Sequence, residues 1–490
     1  MPKSSVPRKA TPISGQEAAS KWIVLGIVAI GVFMATLDAS IVNISLPRIS
    51  LYFQAHLSGM VEWVIIAYLI VVASSLLTLG RLSDMIGRKA MWVTGLAFFT
   101  AGSVLCGAAP SLLFLVISRA FQGIGGAMIM SVSPAMITRA FPAGQRGRAL
   151  GMIGAIVAIG TSAGPTLGGI ITQALSWRWI FYINVPVGII GIMATIRYLS
   201  EPIRLSGAKK RFDPIGAALL SISMTLLMLA MSFGQEAGWI SPVIMGLFAA
   251  ATVLMVAFVL IERRMAHPIV DLSIFRNHLL SAALISSFLS FLSLFAVVFL
   301  MPFYLEDLLF LRPDHAGLVL TAVPLTISLV APLSGWLSDR FGSRVLSSLG
   351  LAVASMGLFF LSRLTQQVSF FDIIWPLIVA GLGQALFQSP NNNAIMSSVP
   401  ENRIGIASGF LATVRVLGQG FSVALAGAIF TSLGGAQAGE LLAQNAAQHA
   451  ASLQNSFVHA FHVALLTSMV ISSIGVFTSL ARGRSRASAN

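Results

Sequence analysis

Three charged side chains lie well inside otherwise apolar stretches of this 490-residue chain: Asp38 in "TLDASIVNISLP", Arg119 in "SRAFQGIGGA" and Arg415 in "TVRVLGQG". A charge in hydrocarbon is costly, so such residues mark ion pathways, proton relays or ligand contacts. An acid beside a guanidinium suggests one chemistry in particular. The cation favours the ionised carboxylate and burial favours the neutral acid, so a change of surroundings can load or release a proton. A second polar set, Gln384, Gln388 and Asn391, recurs at i, i+4 and i+7 and shares one helix face. That stripe either lines a cavity or hydrogen-bonds a neighbouring helix. Arg415 either contacts substrate or satisfies carbonyls of a broken helix, and Tyr68 either lines a cavity or packs.

The elements that must position these residues are membrane helices. The chain is 56% hydrophobic and only 9% charged, with a mean hydropathy of +0.88, far from the quarter or so of charged residues usual in soluble domains. Apolar runs long enough to cross a ~30 Å hydrocarbon core recur from end to end. They predict fourteen spans, at 22–46, 62–80, 90–109, 111–133, 148–172, 179–199, 214–233, 239–261, 279–303, 316–336, 345–363, 373–393, 404–431 and 459–481. With both termini cytoplasmic, 24 of the 30 Lys and Arg residues fall inside, and only Arg48, Arg178, Arg312 and Arg363 fall outside. The net charge of +14 is therefore a topology signal facing anionic lipid, and no nucleic-acid partner is expected.

On this topology the first span runs outward and the fourth runs inward. Asp38 precedes Leu46 by eight residues and Arg119 follows Ser111 by eight, so each lies about 12 Å below the outer boundary. Their matched depth predicts that the two face one aqueous cavity and interact directly or through water.

A repeat divides the chain. "GRLSDMIGRK" (80–89) follows the second span and "GWLSDRFGSR" (335–344) follows the tenth. The expected organisation is a disordered cytoplasmic tail (1–21), an N-terminal six-helix half (22–199), a basic linker with an inserted helix pair (200–278), a C-terminal six-helix half (279–481) and a basic cytoplasmic tail (482–490). Two parallel halves related about the membrane normal make a rocking transporter with substrate at their interface. Within the repeated loops, Asp84 and Asp339 stand beside Arg88 and Arg344. A carboxylate there can cap a helix start, and with the arginine it forms either a conformational latch or a solvated turn.

Four stretches in order resemble the fourteen-span drug:proton antiporter family of the major facilitator superfamily. These are "LDASIVNISLP" (37–47), "GRLSDMIGRK", "SRAFQGIGGA" (118–127) and "GTSAGPTLGG" (160–169), and the likeness continues through "WRWIFYINVPVG" (177–188). From the residues alone, Gly160, Gly164, Gly168 and Gly169 form a small-residue face for close helix approach, and Pro165 can kink the helix. The resemblance implies that this fifth-span motif resists proton leak and sets exchange rather than uptake. It also implies proton-coupled efflux of lipophilic compounds, cations among them, with Asp38 as proton carrier and Arg119 as its modulator. Tyr68, Gln122, Gln384, Gln388, Asn391 and Arg415 are the candidate cavity residues.

Several classes fall away. "GIGGA" (123–127) lies inside a span with no preceding strand and is no dinucleotide loop; no phosphate-binding loop exists, so an enzyme or ATP-driven pump is not expected. No cofactor or metal is expected, and a proton gradient supplies the energy. Cys106, the one cysteine, reads as a small packing residue. His459 and His462 read as an interfacial pair, and Glu62 and Glu306 either as rim acids in solvent or as outward-facing sites for cations. Beyond the bilayer and lipophilic substrates, one further partner is considered. The outside stretch 432–458 could dock a periplasmic adaptor of an envelope-spanning complex; export of one specific metabolite is the other alternative. The expected location is a bacterial inner membrane.

Overall fold

The computed structural model describes residues 15–55, 60–199, 213–234, 237–265, 272–400, 404–443 and 450–482. The described residues form helices and turns, and fourteen helices are long and apolar enough to cross a membrane. In chain order the spans are Lys21–Phe53, Trp63–Ser83, Arg88–Gly107, Leu112–Ala140, Met152–Ala174, Trp179–Tyr198, Pro214–Phe233, Pro242–Glu262, His278–Leu308, Pro313–Ser338, Ser343–Leu361, Phe370–Ser397, Gly409–Ser432 and Ala451–Leu480. Each expected span is present. The first helix differs most at its ends: it starts at Gly15, inside the expected tail, and continues through Pro47 to Phe53. Hydropathy falls at "PRISLYF" although the helix goes on, which is why the apolar run stops short of it.

Packing separates two groups. Span 1 packs on spans 4, 5 and 6, and span 4 on spans 2 and 3; span 9 packs on spans 12, 13 and 14, and span 12 on spans 10 and 11. The groups meet along two seams, span 2 with span 13 and span 5 with span 10. Of the inserted pair, span 7 lies against the first seam, where the Ser221 hydroxyl donates to the Ser74 carbonyl at 2.8 Å and Phe233 stacks on Trp63, and span 8 packs on span 7. Their starts are written locally. Asp213 accepts from the Ile215 and Gly216 amides, Ser241 accepts from the Ile244 amide, and a proline follows each cap.

The repeated loops share a backbone. Gly87 has φ 104° and ψ 143°, and Gly342 has φ 85° and ψ 144°. A side chain rarely adopts this region, so both copies need glycine. Each glycine amide donates back to the serine of its own motif, Ser83 or Ser338, and a helix begins at the next residue. The pseudo-repeat is thus one turn used twice.

The outside stretch 432–458 is more compact than a free docking arm. Gly435–Ala443 is a short helix whose Gly435, Ala436, Ala438, Gly439 and Leu442 are buried, packed on span 14. That span's helix already begins at Ala450, and residues 444–449 lie outside the described part.

Candidate functional site

The helices bring Asp38 and Arg119 into direct contact. Arg119 Nη1 donates to Asp38 Oδ2 at 2.6 Å, and the side chains are 1% and 0% exposed. The matched depths are thus realised as direct contact, with both side chains buried in this conformation. The other carboxylate oxygen, Oδ1, accepts from Gln122 Nε2 at 3.0 Å and from Asn184 Nδ2 at 2.8 Å. Arg119 also donates from Nη1 to Gln122 Oε1 at 2.6 Å and from Nε to the Val64 carbonyl at 2.9 Å. Gln122 in turn donates to Ser103 Oγ at 2.8 Å. Charge-assisted bonds of this kind, shielded from water, are among the stronger ones a protein makes.

Glycines let this network close. A Cβ on Gly102 would collide with the backbone of Gln122, and one on Gly125 would collide with Phe99, so spans 3 and 4 approach as only glycine permits. The ring of Tyr68 lies over the Arg119 guanidinium, 4.4 Å from its carbon to the ring centroid, and Phe181 is 5.8 Å away. Tyr68 and Gln122 were candidates for the cavity wall. Both are buried around the ion pair instead, Tyr68 as a cation–π partner and Gln122 as the residue bonded to both charges. Cys106 is buried beside them, its Sγ 3.7 Å from Gln122 Oε1.

The glycine face of span 5 receives the helix that carries Asp38. Any Cβ on Gly160 would meet Thr36 Oγ1, on Gly164 it would meet Ser40, and on Gly168 it would meet Ile41 and Ile44. Thr36, Ser40 and Ile44 recur every fourth residue, and Asp38 points away from that stripe toward span 4. Ser40 Oγ donates to the Thr161 carbonyl at 2.9 Å. The other side of span 5 meets span 10 across the halves: Gly169 abuts the Pro313 carbonyl, Gly317 abuts the Pro165 carbonyl, and Ser162 and Ser328 share a hydroxyl contact of 3.1 Å. One helix therefore touches both the Asp38 helix and the opposite half.

In the C-terminal half the polar stripe divides. Gln384 Oε1 accepts from Ser290 at 2.7 Å, and Asn391 Nδ2 donates to Ser287 Oγ at 2.6 Å and to the Ala283 carbonyl at 3.2 Å. These two are buried against span 9. Gln388 is half-buried and forms no hydrogen bond with the described residues. Arg415 is also half-buried.

At the repeated loops, Arg88 Nη1 donates to the Ala135 carbonyl at the inner end of span 4, at 2.8 Å. Arg344 is half-buried near the start of span 11. The side chains of Asp84 and Asp339 lie outside the described part. The expected rim acids are not solvated. Glu62 is buried and faces Gly427, and Glu306 is buried 3.3 Å from Arg48 in a π-helical turn, Tyr304–Leu308. A one-residue widening of the helix turns the acids of "YLED" inward, which a straight-helix reading does not foresee. His462 Nε2 lies 2.6 Å from the Leu364 carbonyl, and no metal-holding cluster occurs among the described residues.

Asn184 and Ser103 belong to the network but were not singled out from sequence. Asn184 stands two residues before Pro186, in the apolar start of span 6. An amide there was the available signal. Which charge it serves depends on helix rotation.

The chain matches the Major Facilitator Superfamily family model over residues 28–423 and again over 283–482. It is 38% identical to the riboflavin transporter RibZ of Clostridioides difficile, over 84% of this chain and 88% of that one. It is 32% identical to the multidrug resistance protein Stp of Mycobacterium tuberculosis, over 84% and 76%. The tetracenomycin C resistance and export protein of Streptomyces glaucescens is 31% identical, over 86% of this chain and 78% of that one. Among solved structures, a bacterial homologue of the human lysosomal transporter Spinster superposes with a TM-score of 0.67 at 15% identity, covering 96% of this chain and 98% of that one. That last likeness concerns the fold. The relatives are transporters, not enzymes, and this chain belongs to the major facilitator superfamily.

Proposed function

We propose that the protein is a proton-coupled exporter of lipophilic compounds, working by alternating access in a bacterial cell membrane. The observation that carries this reading is the Asp38–Arg119 pair: a buried carboxylate held by one cation and two amides, on a helix packed against the one that bridges the halves. The relatives named for multidrug resistance and tetracenomycin export support the direction and the breadth.

The proposed cycle follows from charge. While Asp38 is ionised, Arg119 and the amides hold spans 1, 4 and 6 together. A proton on the carboxylate removes the Coulombic attraction to Arg119 and converts an acceptor into a donor. Span 1 is then free to shift on the glycine face of span 5, and span 5 carries that shift to the Pro165–Gly317 and Gly169–Pro313 contacts. Protons entering as the outer seam opens would thereby be exchanged for substrate leaving.

No cofactor takes part in this reading, and the loops around Arg88 and Arg344 act at the cytoplasmic ends as latches. A second reading, export of one metabolite, is favoured by the 38% identity to a riboflavin transporter. An adaptor protein docked on 432–458 is a further proposal, tested by co-purification. The main test uses an efflux-deficient host: wild type should pump ethidium or a flavin outward under a proton gradient, and Asp38→Asn should reach the membrane yet fail to pump. Undiminished pumping by that variant contradicts the reading.

A further inference from the structure

Span 13 holds a charge that has no ion-pair or hydrogen-bond partner among the described residues. Its helix begins at Ile404, which places Arg415 about 17 Å along it, near mid-membrane. One side of this helix meets span 2, where Gly409 faces Leu77 and Gly420 faces Leu69 together with Met228 of span 7. Another meets span 9, where Gly418 faces Phe288 and Phe291. A third side, Phe410, Leu411 and Val414, packs in a cluster with Leu220 and Phe258 of the inserted pair and Leu280 and Leu284 of span 9. At about 100° per residue, Arg415 and Gln419 fall between the side that meets span 9 and the side that meets span 2, where the two halves come together. Both are half-buried.

Neither side chain hydrogen-bonds a described residue, and the guanidinium forms no ion pair with a described acid. The acids nearby are committed or distant. Asp38 is taken up by Arg119, Gln122 and Asn184. Glu62, Glu306, Asp307 and Asp372 stand at the other end of the spans, in their outer turns. Gln388, on the adjacent span 12, lies about 14 Å from the end of its helix at Ser397, a depth close to that of Arg415, and it too is half-buried without a hydrogen bond. An uncompensated guanidinium with two free amides, deep in a membrane protein, is an incomplete hydrogen-bonding set. What completes it is an acceptor-rich group that comes and goes.

We propose that Arg415, Gln419 and Gln388 form the polar end of the substrate site and select lipophilic molecules bearing a carboxylate, enolate or imide, in preference to lipophilic cations. This rests on the transporter reading above and narrows its substrate class. A guanidinium repels a cation placed against it and donates two parallel bonds to a carboxylate or imide. The two glutamine amides supply further donors, and acceptors for an imide N–H.

Fluorescein and rhodamine 123 test this, because they share a xanthene core and carry opposite charges. Fluorescence polarisation with the purified full-length protein in detergent should give at least tenfold tighter binding of fluorescein. Arg415→Gln should weaken fluorescein binding by about 10- to 100-fold, the range expected for a charge-assisted hydrogen bond, and leave rhodamine 123 unchanged or tighter. Arg415→Lys should keep part of the anion affinity, and Gln388→Leu should show a smaller loss of the same selectivity. Preference of the wild type for rhodamine 123, binding of neither dye, or an equal loss of both in Arg415→Gln overturns the proposal. Transport is scored separately in proteoliposomes with a pH gradient. If fluorescein binds selectively but neither dye is moved, the exporter reading fails and the acceptor site stands.

Discussion

The two halves place their central charges in opposite circumstances. In the N-terminal half, Asp38 and Arg119 are fully enclosed and saturated by Gln122, Asn184 and the Val64 carbonyl. In the C-terminal half, Arg415 is half-buried and meets no acid or acceptor among the described residues, while the amides Gln384 and Asn391 turn away to span 9. A closed, neutral network suits a group whose proton must be held until the conformation changes. An open, unpaired cation suits a group whose partner arrives from outside. Under the proposed function, energy coupling falls to one half and recognition to the other, with span 5 as the mechanical link.

Breaking the closed network should have the largest effect. Arg119→Ala leaves Asp38 buried without its cation, a change that typically costs about 3–5 kcal/mol. Thermal unfolding in detergent should show the loss, and uphill transport should fall below detection. Arg119→Lys should recover stability better than transport, because a point charge does not reproduce the three-way contact to Asp38, Gln122 and Val64.

The link comes next. Gly169→Leu or Gly317→Leu inserts a side chain where the opposing backbone of Pro313 or Pro165 already abuts. The outer seam should then fail to close, and transport should drop by roughly one to two orders of magnitude with little loss of substrate binding. In a background with Cys106 replaced by serine, a single cysteine at Ser162 or Ser328 should react faster with an impermeant thiol reagent added from outside.

Smaller effects should sharpen the comparison. Asn184→Leu removes one of three donors to Asp38 and leaves the ion pair. A several-fold slowing of transport is expected, consistent with about 1–2 kcal/mol for one charge-assisted bond. Gln384→Leu and Asn391→Leu remove interhelical bonds inside the C-terminal half. Each should cost about 0.6 kcal/mol of stability and change transport by less than threefold. A loss as large as that of Asn184→Leu would move proton handling into both halves.

Much of this was legible in the residues. Hydropathy and the basic-residue bias gave fourteen spans, and the two G-x-L-S-D-x-x-G-x-R turns gave the pseudo-repeat that Gly87 and Gly342 now display in the backbone. Depth counting paired Asp38 with Arg119, because rise per residue is nearly constant along a helix. Rotation about the helix axis was harder. It decides whether Gln122 and Tyr68 line a cavity or wrap an ion pair, and whether Asn184 reaches Asp38, and it depends on tertiary packing. The burial of Glu62 and Glu306 was hidden for a related reason. A π-turn and a glycine at 427 make room for acids whose place in the chain reads as a rim.

The most direct test of the coupling claim follows protons and substrate together. Wild type and Asp38→Asn are reconstituted in liposomes loaded with a pH-sensitive dye, and substrate is added under an imposed gradient. The account predicts substrate-dependent proton movement in the wild type and none in Asp38→Asn, with substrate binding retained in both. Proton movement of equal size in the variant would contradict it.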